Sequence, residues 1–248
     1  MAGVDEIRSL LAMTTVPPPL VDELLLRAPE LWLAGESPDV IAGDVALCHP
    51  ALGISEVRVQ VTAVPLAGVL RVSLLARDRP GLLAATTGAL AADGLSVVQA
   101  AAMTWADRGW ALQRALVADQ RHVVARPADR DLLRARLRAA ITTSSPPSLA
   151  FAPSGGQAEV SVTVTEDGRR LVHVAAPDRL GLLAAISTWL DREGCNIIVA
   201  RAEPFGAVVV DRFLVDGDPD GPRLAAYLSG RRVPPVASAA SGTAAAPV

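Results

Sequence analysis

The sequence predicts an α+β fold: two ferredoxin-like plaits in tandem, each an antiparallel sheet with helices on one face, preceded by a short helical segment. Three observations carry this. The stretch ARDRPGLLAA at 76–85 returns as APDRLGLLAA at 176–185, identical at eight of ten positions and displaced by 100 residues. The likeness extends on both sides of that stretch, and a repeat of this length marks a duplicated structural unit. Each copy places two strand patterns before a helix pattern and two after it, the order of an antiparallel sheet layered with helices.

Each copy opens on a half-buried strand. EVRVQVT (56–62) and EVSVTVT (159–165) alternate apolar and polar residues, which puts one face on a core and the other in water. A turn follows, loose in PLAG (65–68) and tight at Asp167-Gly168, a strong hairpin signal. The next strands are VLRVSLLA (69–76) and RLVHVAA (170–176). In the helices that follow, Leu82, Thr86 and Leu90 step by four, as do Leu182, Ile186 and Leu190, so each set shares one helix face. Pro80 suits a first helical turn, where its missing N–H costs nothing. Gly94 and Gly194 stop the two helices in register. LSVVQAAAM and CNIIVARAE read as strands, and so do WALQRALVAD (110–119) and AVVVDRFLVD (207–216), with a turn three residues shorter in the second copy. A second helix runs over about 127–141 with Leu133, Leu137 and Ile141 on one face, and its counterpart lies near 221–229.

Without its leading strand each copy reads β-α-β-β-α, a plait lacking its last strand. In a complete plait that last strand lies antiparallel beside the first, on the edge that a strand joined to the first by a hairpin would also take. Residues 56–64 and 159–166 are therefore expected to fill that edge in their own units. The alternative is that 159–166 closes the first unit and leaves the second open. The chain divides into a helical N-terminal segment (1–55), a first unit (56–141), a Ser- and Pro-rich linker (142–158), a second unit (159–232) and a tail without periodicity (233–248), expected to be disordered. Within the N-terminal segment, PPLVDELLLRAPELWL (18–33) and PDVIAGDVALCHPAL (38–52) read as short helices split by prolines. They are too few for a core of their own and are expected to pack on the first unit or to mediate association.

Composition narrows the function. Half the residues are apolar and 3% aromatic, so the cores are aliphatic. A net charge of −3 argues against nucleic acid or an anionic membrane as partner, since both need a basic face. Trp105, Trp110 and Trp189 read as packing residues rather than as a platform for bases, which would need basic surroundings. The Arg-rich stretch at 129–140 reads as a solvated helix face. The chain has no lysine, which excludes Schiff-base chemistry and a phosphate-loop lysine. Cys48 and Cys195 lie far apart, and His49, His122 and His173 are scattered, so neither a disulfide framework nor a metal site is expected, and a cytoplasmic setting fits. No apolar run of about 18 residues suggests a membrane span, and the N-terminus lacks the pattern of a signal peptide.

The repeated Asp-Arg-x-Gly is where chemistry is expected. A strand ends, turns, and opens a helix whose first N–H groups are unpaired and carry partial positive charge, a place that suits a carboxylate. Glycine lets a ligand approach the backbone closely. An aspartate just before can take an α-ammonium group through a charge-assisted hydrogen bond. The loop thus has partners for both ends of an amino acid. In each copy Asp78 or Asp178 could instead serve only as a helix cap.

The stretch DRPGLLAATTGALAADGLSVVQA resembles the ACT domain, a small amino-acid-sensing module. The two copies together resemble the tandem ACT pair at the C-terminus of bacterial protein-PII uridylyltransferases. The likeness covers about 56–230, carried by DRPGLLA, DRLGLLA and the GLSV and GCNI segments, and residues 18–55 resemble the helical stretch before that pair. The catalytic signatures of those enzymes are absent from the sequence: there is no Gly-Ser with an Asp-x-Asp pair and no His-Asp metal motif. The resemblance therefore implies a regulatory protein that is not an enzyme and needs no cofactor. It implies a free amino acid bound by Asp78, Arg79, Gly81 and Leu82 in the first copy and by Asp178, Arg179, Gly181 and Leu182 in the second. It also implies a polar residue on the following strand, Ser96 or Asn196. Asn both donates and accepts, which favours the second copy, but Leu180 stands there where the family has Pro. Glutamine is the first candidate ligand, a homodimer through ACT–ACT packing is implied, and a protein partner would read the signal. Two other readings remain open: a regulatory subunit or fragment of a uridylyltransferase-type enzyme, and a dimerisation module without a ligand.

Overall fold

The computed structural model describes residues 3–33, 36–66, 68–119, 127–143, 156–206 and 208–231. Most of the linker (144–155) and the whole tail (233–248) lie outside the described residues. The N-terminal segment forms α1 (Val4–Leu11), α2 (Pro18–Leu26), α3 (Glu30–Leu33) and α4 (Pro38–Leu47). The first unit follows as β1 (Arg58–Ala63), β2 (Val69–Arg77), α5 (Leu82–Ala92), β3 (Ser96–Trp105), β4 (Trp110–Ala118) and α6 (Pro127–Thr142). The second repeats that order as β5 (Glu159–Val164), β6 (Arg170–Pro177), α7 (Leu182–Arg192), β7 (Asn196–Phe205), β8 (Val208–Asp216) and α8 (Gly221–Leu228).

All eight strands join one antiparallel sheet in the order β1-β2-β4-β3-β7-β8-β6-β5. The order is palindromic: each unit contributes four strands, and the units meet through antiparallel pairing of β3 with β7, where Ala101 faces Arg201. The leading strands settle the edge question. β1 pairs with β2 and β5 with β6, so each closes its own unit in place of the plait's last strand. The alternative, in which 159–166 closes the first unit, is excluded.

α5 to α8 cover one face of this sheet and share a single aliphatic core with it, including Leu74, Leu90, Leu137, Ile186, Leu190, Phe213 and Leu224. Gly94 and Gly194 adopt positive φ and end α5 and α7 as the sequence indicates. α5 starts at Leu82, two residues later than the Pro80 reading implies. Pro80 sits in the turn before the helix, because Gly81 takes a left-handed conformation that breaks the helical path. α1 also lacked a sequence reading. It buries only Ile7 and Leu11, too few for a legible period.

The N-terminal helices pack on the opposite face, and on the first unit. Leu75, Ala101, Met103, Trp105, Trp110 and Leu112 point away from α5 and join Ile7, Leu24, Trp32, Ile41 and Val45 in a second core. Trp105 meets Trp32 edge to face at 6.0 Å and donates its indole N–H to the Leu24 carbonyl. Arg114 of β4 is buried under this layer. It pairs with Asp44 of α4 and with Glu36, and it stacks on Trp32. Ser73 donates to the other Asp44 oxygen at 2.9 Å. Glu36 also reaches Arg201 of the second unit at 3.3 Å. In the second unit this layer reaches β7, on which α3 packs, but Arg212 of β8, which pairs with His173 as Arg114 pairs with Ser73, is exposed.

Candidate functional site

The two Asp-Arg-x-Gly loops lie at the seam between the units. Gly81 and Gly181 cap α5 and α7 with φ of 72° and 82°, a conformation that favours glycine. The helices cross there, and the Thr87 and Ser187 hydroxyls meet at 3.2 Å at the crossing. Each hydroxyl also bonds back to the carbonyl four residues earlier, Leu83 or Leu183.

Two pockets flank this crossing, and each is shared between units. The first combines Asp78, Arg79, Gly81 and Leu82 with Ser187, Asp191, Asn196 and Ile197 of the second unit. The second combines Asp178, Arg179, Gly181 and Leu182 with Thr87, Ala91, Leu95 and Val97 of the first. The sequence reading paired each loop with the strand of its own copy. The structure corrects this: Asn196 joins the Asp78 loop, not the Asp178 loop, because β3 and β7 run antiparallel and carry each strand's opening across to the other unit's helix. Ser96 lines neither pocket; Val97 and Val98 are its neighbours that do.

The loop arginines turn aside to the second helix of their own units. Arg79 donates to the Ile141 carbonyl in α6, and Arg179 donates to the Leu228 carbonyl at the end of α8. These bonds satisfy carbonyls that a helix end leaves open and tie the loop to it. Burial lowers the Arg179 pKa. Asp78 is partly buried, and desolvation raises its pKa against hydrogen bonds from the Thr104 hydroxyl and the Arg79 backbone. In the second unit the residue opposite Val209 is Pro204, as Thr104 is opposite Ala111, so Asp178 has no such hydroxyl.

The sequence reading missed the polar floor of both pockets. Gln113 of β4 pairs with Ala102, and Asp211 of β8 pairs with Ala202, so the two occupy the same place in their units. Gln113 is 6% exposed and its side-chain oxygen has no hydrogen-bond partner among the described residues. Asp211 is 2% exposed, and desolvation, then the nearby Asp178 carboxylate, push its pKa up to about 7. A polar residue interrupting WALQRALVA and VVVDRFLVD was the available signal. The turn proves two residues shorter in the second copy, not three as the sequence suggests, so the offset falls from 100 to 98 and hides the equivalence.

The cavities are small, about 30 Å3 in the first pocket and about 20 Å3 in the second, which is room for one or two waters. Cys48 and Cys195 are buried and unpaired, and burial drives the Cys48 thiol to about 12, which makes it unreactive. Among the described residues no group of three His, Cys, Asp or Glu is placed to hold a metal, and no helix is long and apolar enough to cross a membrane.

Fold and site together define a tandem pair of ferredoxin-like units sharing one sheet, with a crossed pocket on each side of the seam. The chain is a distant relative of the bifunctional uridylyltransferase/uridylyl-removing enzymes. It is 27% identical to those of Burkholderia mallei (strain SAVP1) and Burkholderia pseudomallei (strain K96243), over 86% of this chain and 26% of theirs. It thus spans about a quarter of the length of these curated relatives. Among solved structures it is similar to aspartate kinase from Synechocystis, with a TM-score of 0.39 and 18% identity, over 66% of this chain and 26% of that one. No protein-family model matches the chain.

Proposed function

We propose that this chain is a non-catalytic regulatory module that binds a free amino acid between its two ACT-type units and signals by changing how they pack. The observation that carries this reading is the pair of crossed pockets, in which a glycine-capped helix start and an aspartate from one unit face a strand from the other. A carboxylate suits the helix start, and an α-ammonium suits the aspartate. The cavities are smaller than an amino acid, so a ligand must favour an arrangement in which the seam has opened. That difference between arrangements is what regulation requires. Glutamine is the first candidate, by analogy with the nitrogen-signalling enzymes that the chain is similar to.

The test is a thermal-unfolding screen against the twenty amino acids, singly at millimolar concentration, with gel filtration alongside to show whether a second copy or an added partner associates. A ligand at about 100 times its dissociation constant stabilises by roughly 2.7 kcal/mol, which moves the midpoint by a few degrees. One amino acid, or a small chemical group of them, should do this, and Asp178→Ala should abolish the effect without unfolding the chain. No shift with any amino acid would favour a dimerisation module without a ligand.

The similarity to those enzymes favours one variation: the chain is a regulatory subunit or a fragment of a uridylyltransferase-type enzyme. Co-purification with a catalytic chain of that type, and a change in that chain's activity on addition of the module, would bear on it.

A further inference from the structure

The two pockets are built from equivalent positions, yet they are not chemically equivalent. Asp191 of α7 lies against Gly81 at the start of α5: a Cβ placed on Gly81 would come within 3.0 Å of its Oδ2 and 3.3 Å of its Oδ1. This is a carboxylate of the chain's own at the helix start where a ligand's carboxylate would be drawn. The equivalent position on α5 is Ala91, whose methyl lies 3.8 Å from a Cβ built on Gly181. The start of α7 therefore meets a methyl group and no competing charge.

The floors differ in the opposite sense. The first pocket presents the neutral Gln113 amide, and its Asp78 already accepts from Thr104. The second presents Asp211, almost fully buried, with no hydrogen-bond donor or cation reaching it among the described residues. The charge that raises its pKa further is Asp178, another acid lining the same pocket. Two carboxyl groups facing one small cavity destabilise each other, and a cation between them relieves both. A buried acid without a partner, in the same pocket as a helix start that no carboxylate crowds as Asp191 crowds the other, describes a site for a zwitterion.

We infer that the second pocket is the chain's amino-acid site, with Asp178 and Asp211 together holding the α-ammonium group and the start of α7 holding the carboxylate, while Asp191 keeps the first pocket shut. This rests on the amino-acid reading proposed above. It also gives the ligand a chemical requirement: a free α-ammonium beside a free carboxylate, so that an α-keto acid or an N-acetylated amino acid is rejected. It keeps the preference for the second copy but not the ground drawn from Asn196, since Asn196 lines the pocket that Asp191 occupies.

The test is titration calorimetry on the full chain with L-glutamine, then with the other amino acids singly. The wild type should bind one amino acid per chain. Asp191→Ala should bind two, because removing the carboxylate frees the start of α5. Asp191→Asn, which keeps the shape and loses the charge, should show the second site more weakly. Ala91→Asp should abolish binding by closing the second pocket, with circular dichroism to show that the chain still folds. Should it not fold, Asp211→Asn serves instead: affinity should fall at least tenfold while the apo chain melts higher, a combination that general damage does not produce. Two sites in the wild type, or one site unaffected by Asp211→Asn and not doubled by Asp191→Ala, would overturn the inference while leaving the amino-acid reading intact. No binding by either the wild type or Asp191→Ala would overturn both.

Discussion

The first and second units have the same element order and strand order, but they are buried differently. The first is sandwiched between α5–α6 and the N-terminal helices, and the second carries that outer layer on β7 but not over Arg212 of β8. The sequences of the matching strands follow this difference. VLRVSLLA is nearly continuous in apolar residues and β2 is buried on both faces over Val72–Ala76. RLVHVAA alternates, and so does the burial of β6. The pockets differ in turn: one holds an aspartate of the chain's own at a helix start, the other an aspartate with no partner on its floor. A duplicated unit can thus keep its backbone while its two copies differ in what covers their faces and in what lines their pockets.

The largest effect should separate the two outer faces. Arg114→Ala leaves Asp44 buried without its cation and should cost about 3–5 kcal/mol in urea unfolding. Arg212→Ala, at the matching register position but exposed, should change stability by no more than about 0.5 kcal/mol. Equal costs would mean that the N-terminal layer contributes little to holding the first unit.

The pocket floors should differ in pH response. Burial and the Asp178 carboxylate raise the folded-state pKa of Asp211 to about 7, well above the ordinary carboxylate range, so between the two the native chain holds a proton that the unfolded chain has released. The associated stability is fully present below about pH 4 and is lost as pH rises through about 7, a swing of up to about 4 kcal/mol. Asp211→Asn should flatten that part of the profile and raise the midpoint at pH 8. Gln113→Ala, at the equivalent place, should leave the pH profile unchanged. A bound ammonium favours the ionised acid, so amino-acid affinity should increase as pH rises through 7 in the wild type and not in Asp211→Asn.

The loops come next. Asp178→Ala should remove ligand stabilisation worth roughly 2.7 kcal/mol at a hundredfold excess over the dissociation constant. Asp78→Ala, in the pocket that Asp191 occupies, should retain it. The smallest effect belongs to the helix crossing. Thr87→Val or Ser187→Ala should cost about 1 kcal/mol, since each removes one buried hydroxyl from the pair. Because Thr87 lines the second pocket and Ser187 the first, Thr87→Val should also alter ligand affinity in a calorimetric titration, and Ser187→Ala should alter it less.

Much of this was legible in the sequence. The repeat, the stepped leucines and the stop glycines placed both units, and Asp78, Gly81, Asp178 and Gly181 marked the seam. What was not legible depends on three-dimensional crossing. Asn196 lies fourteen residues after Leu182 in the chain, but the antiparallel β3–β7 join delivers it to the other loop. Asp191 looks like one more polar residue at the end of an amphipathic helix until α5 and α7 are seen to cross. Asp211 was masked by the two-residue shift in offset. Burial of β2 on both faces could have been read from its nearly continuous apolar run, which indicated a covering layer before α1–α4 were seen to supply it.

The central claim is that one ligand touches both units at once. Hydrogen exchange on the wild-type chain, with and without the amino acid that stabilises it most, tests this directly. Protection should rise together in the loop and helix start at 178–184 of the second unit and in residues 95–98 of the first. Protection confined to one unit would contradict the claim.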